Sequence, residues 1–363
     1  MNTLVPLEDY YALYLYLSMF LVIFTIFHTL ILKIDSPKNL IFIQFTGAFL
    51  CVFSILYMGQ RPISGVYFGD TANYNKAYIA YQFGAPLNPN SSDVGWELFM
   101  KFSSQIMSVH TFFTICVFLY IYPMYRISKE YFKQYWYYAF LMFMVSFSFW
   151  TYGVNGVRNG VAGSLFLWGI CYQRKKIIMA LFFLLAIQFH KTLLLPIFAY
   201  IATFFYNKPK KYLIGWVSAI PLSLVAGGLW VTLFTSLGFG DERLSGYLTG
   251  EAQANTGFRW DFLFHSAFAV FAGWYFIVRR KYEDKIYFQL FNTYLICNGF
   301  WVLVIRANYS NRFAYLSWFM MAIVIIYPML KQRFFKNHHL MIGKIILAYF
   351  AFTFLMYKLY YQQ

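Results

Sequence analysis

The sequence predicts an all-α, polytopic membrane protein of about twelve transmembrane helices with two larger outer loops, and three observations lead there. Of the 363 residues, 61% are hydrophobic and only 12% charged, so the chain cannot clothe a soluble core in an ordinary polar surface. Apolar runs of ~14 to 25 residues, the length that crosses ~30 Å of hydrocarbon at 1.5 Å per helical residue, recur from end to end. Clusters of Lys and Arg fall between these runs in alternation, as the positive-inside rule requires.

Taken in order, residues 10–32 and 40–59 are the first two spans, joined through Lys33–Lys38 on the cytoplasmic side. Glu8 and Asp9 precede the first span, which has no charged start and no small-residue cleavage site and reads as a retained helix. The outer segment 60–104 is too short and irregular for a core of its own. Spans 105–125 and 136–152 flank the basic turn Arg126–Lys133, and 158–172 runs into Arg174–Lys176. The run 177–206 has basic clusters at both ends, so it must cross twice, as spans 177–190 and 192–206 with Phe189-His190-Lys191 at the outer turn. Lys208–Lys211 then leads into 212–236, and the second outer loop, 237–260, into 261–278. Spans 286–305, 313–330 and 340–357 follow, with Arg279–Lys285 and Lys331–Lys336 inside. Residues 1–363 thus read as one integral membrane domain.

Including Lys344, the cytoplasmic side holds 19 of 29 basic residues, 14 of them Lys, whereas six of the ten outer ones are Arg. Those outer arginines need a reason other than topology. The net charge of +16 sits mostly beside the anionic inner leaflet, so it does not call for nucleic acid as a partner. Cys51, Cys116, Cys171 and Cys297 stand singly within spans, which argues against disulfides and zinc.

The outer polar segments hold the candidate chemistry. Asp70, Tyr74 and Tyr78 stand at i, i+4, i+8, placing an acid and two phenols on one helical face that could hold sugar; the alternative is an interfacial helix anchored by belt aromatics. Asp93, Glu97 and Lys101 repeat that spacing around Trp96, where a salt-bridged surface face is the rival reading. Arg158 lies in Asn155-Gly-Val-Arg-Asn-Gly160 at a helix start, where free N–H groups and the positive helix end already favour an anion. The rival there is a snorkelling Arg on a helix whose Gly156, Gly160 and Ser164 pack against a neighbour. His190-Lys191 interrupts a long apolar stretch at the hairpin turn, where polar groups need a partner or a cavity. Arg259-Trp260-Asp261 precedes a span that carries His265, an Asp–His spacing that hydrogen-bonded packing would also explain. Arg306 and Arg312 bracket a seven-residue outer connection, and their guanidinium forks suit phosphate better than lysine does. No nucleotide loop, HExxH or GxSxG elbow is present. This inventory of arginines, carboxylates, a histidine and aromatics fits a lipid-diphosphate-linked sugar.

Several of these stretches resemble the EpsG/Wzy-like family of bacterial polysaccharide polymerases, which make O-antigen, capsule or exopolysaccharide. They are Gly69-Asp70 with Tyr74 and Tyr78, Gly95-Trp96-Glu97-Leu98-Phe99, Gly156-Val157-Arg158-Asn159-Gly160-Val161-Ala162, Phe189-His190-Lys191-Thr192, Arg243 with Tyr247, and Asn311-Arg312 with Tyr315. Asn159 stands where the family usually has Gln. The resemblance implies a GT-C-like helical bundle and a metal-independent transferase, without a cofactor, in the bacterial inner membrane with its active site on the outer face. Donor and acceptor would be undecaprenyl-diphosphate-linked oligosaccharides, and a chain-length regulator is a candidate partner. On that reading Arg158 and Arg312, with Arg306 and Arg259 in reserve, neutralise the leaving diphosphate. His190, Glu97 or Asp70 takes the acceptor proton, and Tyr74, Tyr78 and Trp96 hold sugar rings. An O-antigen-ligase-like transferase is the nearest alternative, followed by a lipid-linked oligosaccharide flippase and a membrane O-acyltransferase; the short, lysine-dominated cytoplasmic loops argue against transport.

Overall fold

The computed structural model describes residues 5–88, 91–236, 257–307 and 310–360, and these are helical with no strand. Polar caps set the helix starts in the expected way. Ser36 precedes Pro37 and accepts the Asn39 N–H at 3.2 Å, which opens α1's partner α2 (Pro37–Gly59) against α1 (Tyr10–Ile31). Ser108 caps α6 (Val109–Phe132) through the Thr111 N–H. Asp284 accepts from the N–H groups of Ile286 and Tyr287, both at 2.9 Å, and starts α14 (Lys285–Leu303).

The chain forms two compact units, Met1–Lys191 with Met329–Gln363, and Thr192–Pro328. In the first, α1 packs on α17 (His338–Tyr360), α2 on α6, and α6 on both α7 (Trp136–Met144) and α9 (Val157–Cys171), with α10 (Lys176–Phe189) beyond α9. Its core is aromatic: Trp136, Tyr137, Tyr138 and Phe140 on α7 are all buried. Buried hydroxyls in it reach for backbone carbonyls, as an apolar surrounding favours. The Tyr14 hydroxyl donates to the Met144 carbonyl at 2.6 Å, and Ser164 Oγ donates to the Tyr120 carbonyl at 2.7 Å. In the second unit, α11 (Leu194–Phe205), α12 (Pro209–Ser236), α13 (Trp260–Trp274) and α15 (Asn311–Trp318) gather on α14. Asn298 at its centre accepts from Trp216 Nε1 at 2.7 Å and donates to the hydroxyls of Ser266 and Ser317. α16 (Met321–Lys331) leads the chain from this unit back to the first.

Among the described residues, seven stretches are long and apolar enough to cross a membrane: Leu7–Ile31, Pro37–Gly59, Val109–Met144, Pro209–Trp230, Trp260–Arg279, Asn311–Lys331 and His338–Tyr360. The chain is therefore a multi-pass helical membrane protein. Of the twelve expected spans, 177–190 and 192–206 correspond to shorter apolar helices, and 136–152 is broken at 145–148 into α7 and α8 (Phe149–Val154). The segment 60–104, expected to lack a core of its own but to carry helical faces at Asp70–Tyr78 and Asp93–Lys101, contains α3 (Gly65–Phe68), α4 (Thr71–Gln82) and α5 (Val94–Ile106), with α4 packed on α5. Most of the second outer loop, including Arg243 and Tyr247, lies outside the described residues.

Candidate functional site

The short polar helices of the first unit are joined by side chains that reach for backbone. Gly69 turns the chain between α3 and α4 at φ +53°, and a Cβ there would lie 2.3 Å from Asn155 Oδ1. Glycine thus supplies both the left-handed turn and the space through which Asn155 accepts the Asp70 N–H at 2.8 Å. Asp70 stands at the N-cap of α4, its carboxylate accepting from Asn73 Nδ2 at 3.3 Å. Arg61 fastens the same junction from below. Fully buried, it donates to the carbonyls of Met58 (2.7 Å) and Val154 (3.0 Å) and to Thr71 Oγ1 (3.3 Å), with its guanidinium 4.9 Å from the Phe113 ring centre. Burial lowers its pKa to about 10, which still leaves it charged at neutral pH.

Asn155 is followed directly by the start of α9, and Arg158 stands in the first turn of that helix. A cation at the positive end of a helix is disfavoured unless an anion faces it. Asp93 provides the anion: its Oδ2 lies 2.7 Å from Arg158 Nη1, and its side chain is only 4% exposed against 26% for the arginine. Asp93 Oδ1 accepts the Lys191 N–H at 2.9 Å, so one carboxylate ties the start of α5, the start of α9 and the turn after α10. Gly95 makes the approach possible. A Cβ on it would fall 2.6 Å from Gln188 Cβ, so any larger residue would push α5 away from α10. His190 is the C-cap of α10, extended and half-buried, one residue from the Lys191 amide that binds Asp93.

Glu97 lies one helical turn after Asp93 and accepts a hydrogen bond from the Tyr81 hydroxyl, while the Lys101 ammonium sits 6.0 Å from the Tyr81 ring centre. The rival reading, a salt-bridged face of Asp93, Glu97 and Lys101, is not formed: Asp93 pairs with Arg158, while Glu97 and Lys101 both meet Tyr81, one at its hydroxyl and the other at its ring. Burial, reinforced by the Glu97 bond, pushes the Tyr81 phenol well up. Tyr74 is half-buried beside Trp96 at 5.4 Å, and burial raises its pKa to about 12, with Arg158 pulling it back and Asp70 pushing it up again.

Tyr78 and Trp96 do not offer a ring face to a sugar in this conformation. Tyr78 is fully buried, its hydroxyl donating to the carbonyls of Ser103 and Met107, and Trp96 is 1% exposed among Phe99, Phe112 and Phe189. The i, i+4, i+8 face of Asp70, Tyr74 and Tyr78 therefore divides: its first two members stay near the surface and the third anchors α4 to α5 and its exit.

In the second unit Arg259 makes a bidentate pair with Asp261, at 3.0 and 2.7 Å, and its guanidinium lies 3.6 Å above the Phe262 ring centre. Asp261 is thus held by arginine, and His265 is buried edge-on to Trp318 at 5.1 Å. The Arg306 stem passes the place where a Gly227 Cβ would stand, 3.2 Å away, beside a break in α12 at Ala226 (φ −131°). Arg312 is exposed in the first turn of α15, with Tyr315 buried one turn on. Among the described residues no group of three or more His, Cys, Asp or Glu is placed to hold a metal ion.

Sequence reasoning gave no role to Arg61, Asn155 or Tyr81, and for Asp93 it left a salt-bridged surface face open as the rival reading. Only the Gly69–Asp70 and Asn155–Gly156 couplets, each a glycine beside a short polar residue, signalled the junction.

A multi-pass helical protein whose short polar helices converge on a buried aspartate paired with a part-exposed arginine is the class that fold and site define. The chain belongs to the EpsG family, whose family model matches residues 48–363. No curated protein matches it, and no solved structure does either.

Proposed function

We propose that this protein is a polysaccharide polymerase. It transfers a polyprenyl-diphosphate-linked glycan onto another lipid-linked repeat unit at the outer face of the bacterial inner membrane. The observation that carries the reading is the family match over residues 48–363. The geometry around Asp93 gives that reading its residues.

In the transfer, an acceptor hydroxyl oxygen bonds to the anomeric carbon of the donor, the bond from that carbon to the diphosphate oxygen breaks, and the hydroxyl proton passes to a base. Arg158 is the first diphosphate ligand. Asp93 engages Nη1, and the side chain remains a quarter exposed, so the rest of the fork can take an oxyanion while the pair keeps its position. Preorganised donors of this kind contribute about 3–4 kcal/mol each to stabilising the leaving group. Arg312, Arg306 and Arg259 are the candidate diphosphate ligands of the second unit, Arg259 after release from Asp261, and each is tested by its own substitution. His190 and Glu97 are the leading bases, with Asp70 as the third, and Tyr74 is the aromatic that keeps access to a sugar ring. Tyr78 and Trp96 serve as scaffold. An acceptor-side glycan and an undecaprenyl carrier are the substrates this arrangement suits.

Incubating the purified protein with a defined lipid-diphosphate oligosaccharide tests the proposal. A ladder of products spaced by one repeat unit is the expected result. A single transfer product without a ladder would instead make the protein a ligase, and no transfer at all would remove the glycosyltransferase reading.

A further inference from the structure

The second unit carries a groove that the transfer reaction does not use. α12 and α13 both pack on α14, and between them they leave a cavity of about 490 Å³, within the ~300–1,000 Å³ of ordinary ligand sites. Its walls are almost wholly apolar. Ile214 and Val217 line it from α12, and Phe271 and Trp274 from α13; Ile214 and Phe271 are each 61% exposed.

What stands at the mouth of the groove is charged. At 1.5 Å of rise per residue, the lining positions on α12 lie ~6–14 Å from the start of that helix, where Lys208, Lys210 and Lys211 cluster. Beyond α13 a single π-helical stretch, Tyr275–Arg279, brings the chain to Arg279, Arg280 and Lys281. The two basic ends are neighbours: Asn207 Nδ2 donates to the Lys285 carbonyl at 3.1 Å, and Asn292 Nδ2 donates to Asn207 Oδ1 at 2.7 Å. Aromatic rings at the groove hold the arginines in place, with Arg279 5.4 Å from the Trp274 ring centre and Arg280 Nε donating to the Tyr275 hydroxyl at 2.8 Å.

Two acids share this end. Asp284 is occupied by the helix start it caps and by the hydroxyls of Tyr282 and Tyr327, and Glu283 is exposed. Even with Asp284 counted, two carboxylates do not balance the seven cations Lys208, Lys210, Lys211, Arg279, Arg280, Lys281 and Lys285. The first turn of α12, moreover, has no acid to offset lysines crowded at its positive helix end. An apolar trough about 8–11 Å long leading to a collar of net positive charge matches a lipid with a phosphate head.

We propose that this groove is a binding site for an anionic phospholipid of the leaflet on the lysine-rich side, with one acyl chain lying along Val217, Phe271 and Trp274 and its phosphate held by Arg279, Arg280 and the α12 lysines. The inference is independent of the transfer reaction. Its occupant is a structural or regulatory lipid, and its headgroup lies at the opposite membrane face from the proposed diphosphate site.

Native mass spectrometry of the delipidated full-length protein, titrated with phosphatidylglycerol, tests it. Arg279→Gln with Arg280→Gln should weaken the first-bound lipid by about tenfold or more. Val217→Trp, which fills the trough, should do the same with all charges intact, and Ser218→Leu on the same wall serves if the Trp variant does not fold. Lys33→Gln with Lys336→Gln, exposed cations of the first unit, should leave the first-bound lipid unchanged. Equal loss in that control, or undiminished binding in the filled variants, overturns the site and leaves only a generally basic surface. Equal affinity for phosphatidylcholine overturns the headgroup assignment, and tighter binding of a polyprenyl phosphate overturns the choice of a phospholipid.

Discussion

The Asp93–Arg158 pair is unevenly buried, and the unevenness predicts how its two halves respond to mutation. Arg158→Ala leaves a carboxylate that is 4% exposed with the Lys191 N–H but no counter-charge, and stranding a buried charge costs about 3–5 kcal/mol. Asp93→Asn keeps an oxygen for Lys191 and leaves an arginine that is 26% exposed and can turn to water, so its cost is smaller, about 1–2 kcal/mol after solvent screening. The double variant removes both charges and should be more stable than Arg158→Ala alone, giving a coupling of about 2 kcal/mol in a double-mutant cycle. Thermal unfolding of the purified protein reads this, at about 2–4 °C for each kcal/mol. Activity follows a different rule: the double variant should regain stability but not transfer, because Arg158 is the proposed diphosphate ligand. Additive destabilisation would refute the pairing, and transfer by the double variant would remove Arg158 from the diphosphate site.

Other outcomes follow from single distances and directions. Cysteine at exposed Ser92 should label from outside intact cells and cysteine at Lys210 should not; labelling at both would overturn the assignment of 177–206 as a double crossing. Gly95→Ala should destabilise by about 1–3 kcal/mol and lower transfer by displacing Asp93, whereas Gly215→Ala, which meets nothing within 4 Å, should be neutral or stabilising. Because the folded pKa of Tyr74 is raised to about 12, its neutral phenol contributes stability that is intact below about pH 10 and lost as pH rises from there through 12. Tyr74→Phe should therefore lose less stability than wild type across that interval in alkaline unfolding curves.

Periodicity and charge made the membrane helices legible, and what they missed has a local cause in each case. The helices of 60–104 are short and half-polar, so hydropathy does not mark them; the i, i+4 spacing of Asp70, Tyr74 and Tyr78 and of Asp93, Glu97 and Lys101 does, while their ends and their packing on one another stay hidden. The break at 145–148 comes from two serines and tertiary aromatics rather than from Pro or Gly, the residues a sequence reading watches for. The kink at Ala226 likewise has no signal at its own position, although Pro221 stands upstream.

In the site, local spacing pointed in the wrong direction where a helix end intervened. Asp93, Glu97 and Lys101 are at ladder spacing, but Asp93 is the N-cap of α5 with non-helical backbone (φ −112°, ψ 59°), so its side chain leaves the helical face and reaches Arg158, far away in sequence. That contact also bears on mechanism. A bare arginine at the start of α9 would pair with any passing anion, whereas one already matched by a buried carboxylate binds only a ligand whose charge exceeds what Asp93 supplies. A diphosphate, with more than one negative oxygen to offer, meets that condition better than a single carboxylate or chloride. Since the same Asp93 holds the Lys191 amide, a donor that draws Arg158 toward itself also loads the turn that carries His190. Replacing Arg158 by Lys keeps the charge but not the second fork position, so the ion pair and the donor compete for one ammonium. Transfer by Arg158→Lys should therefore fall well below wild type with near-normal stability, measured as turnover at saturating donor alongside the unfolding midpoint. Wild-type turnover in that variant would show that a point charge suffices and that the fork geometry has no part in donor binding.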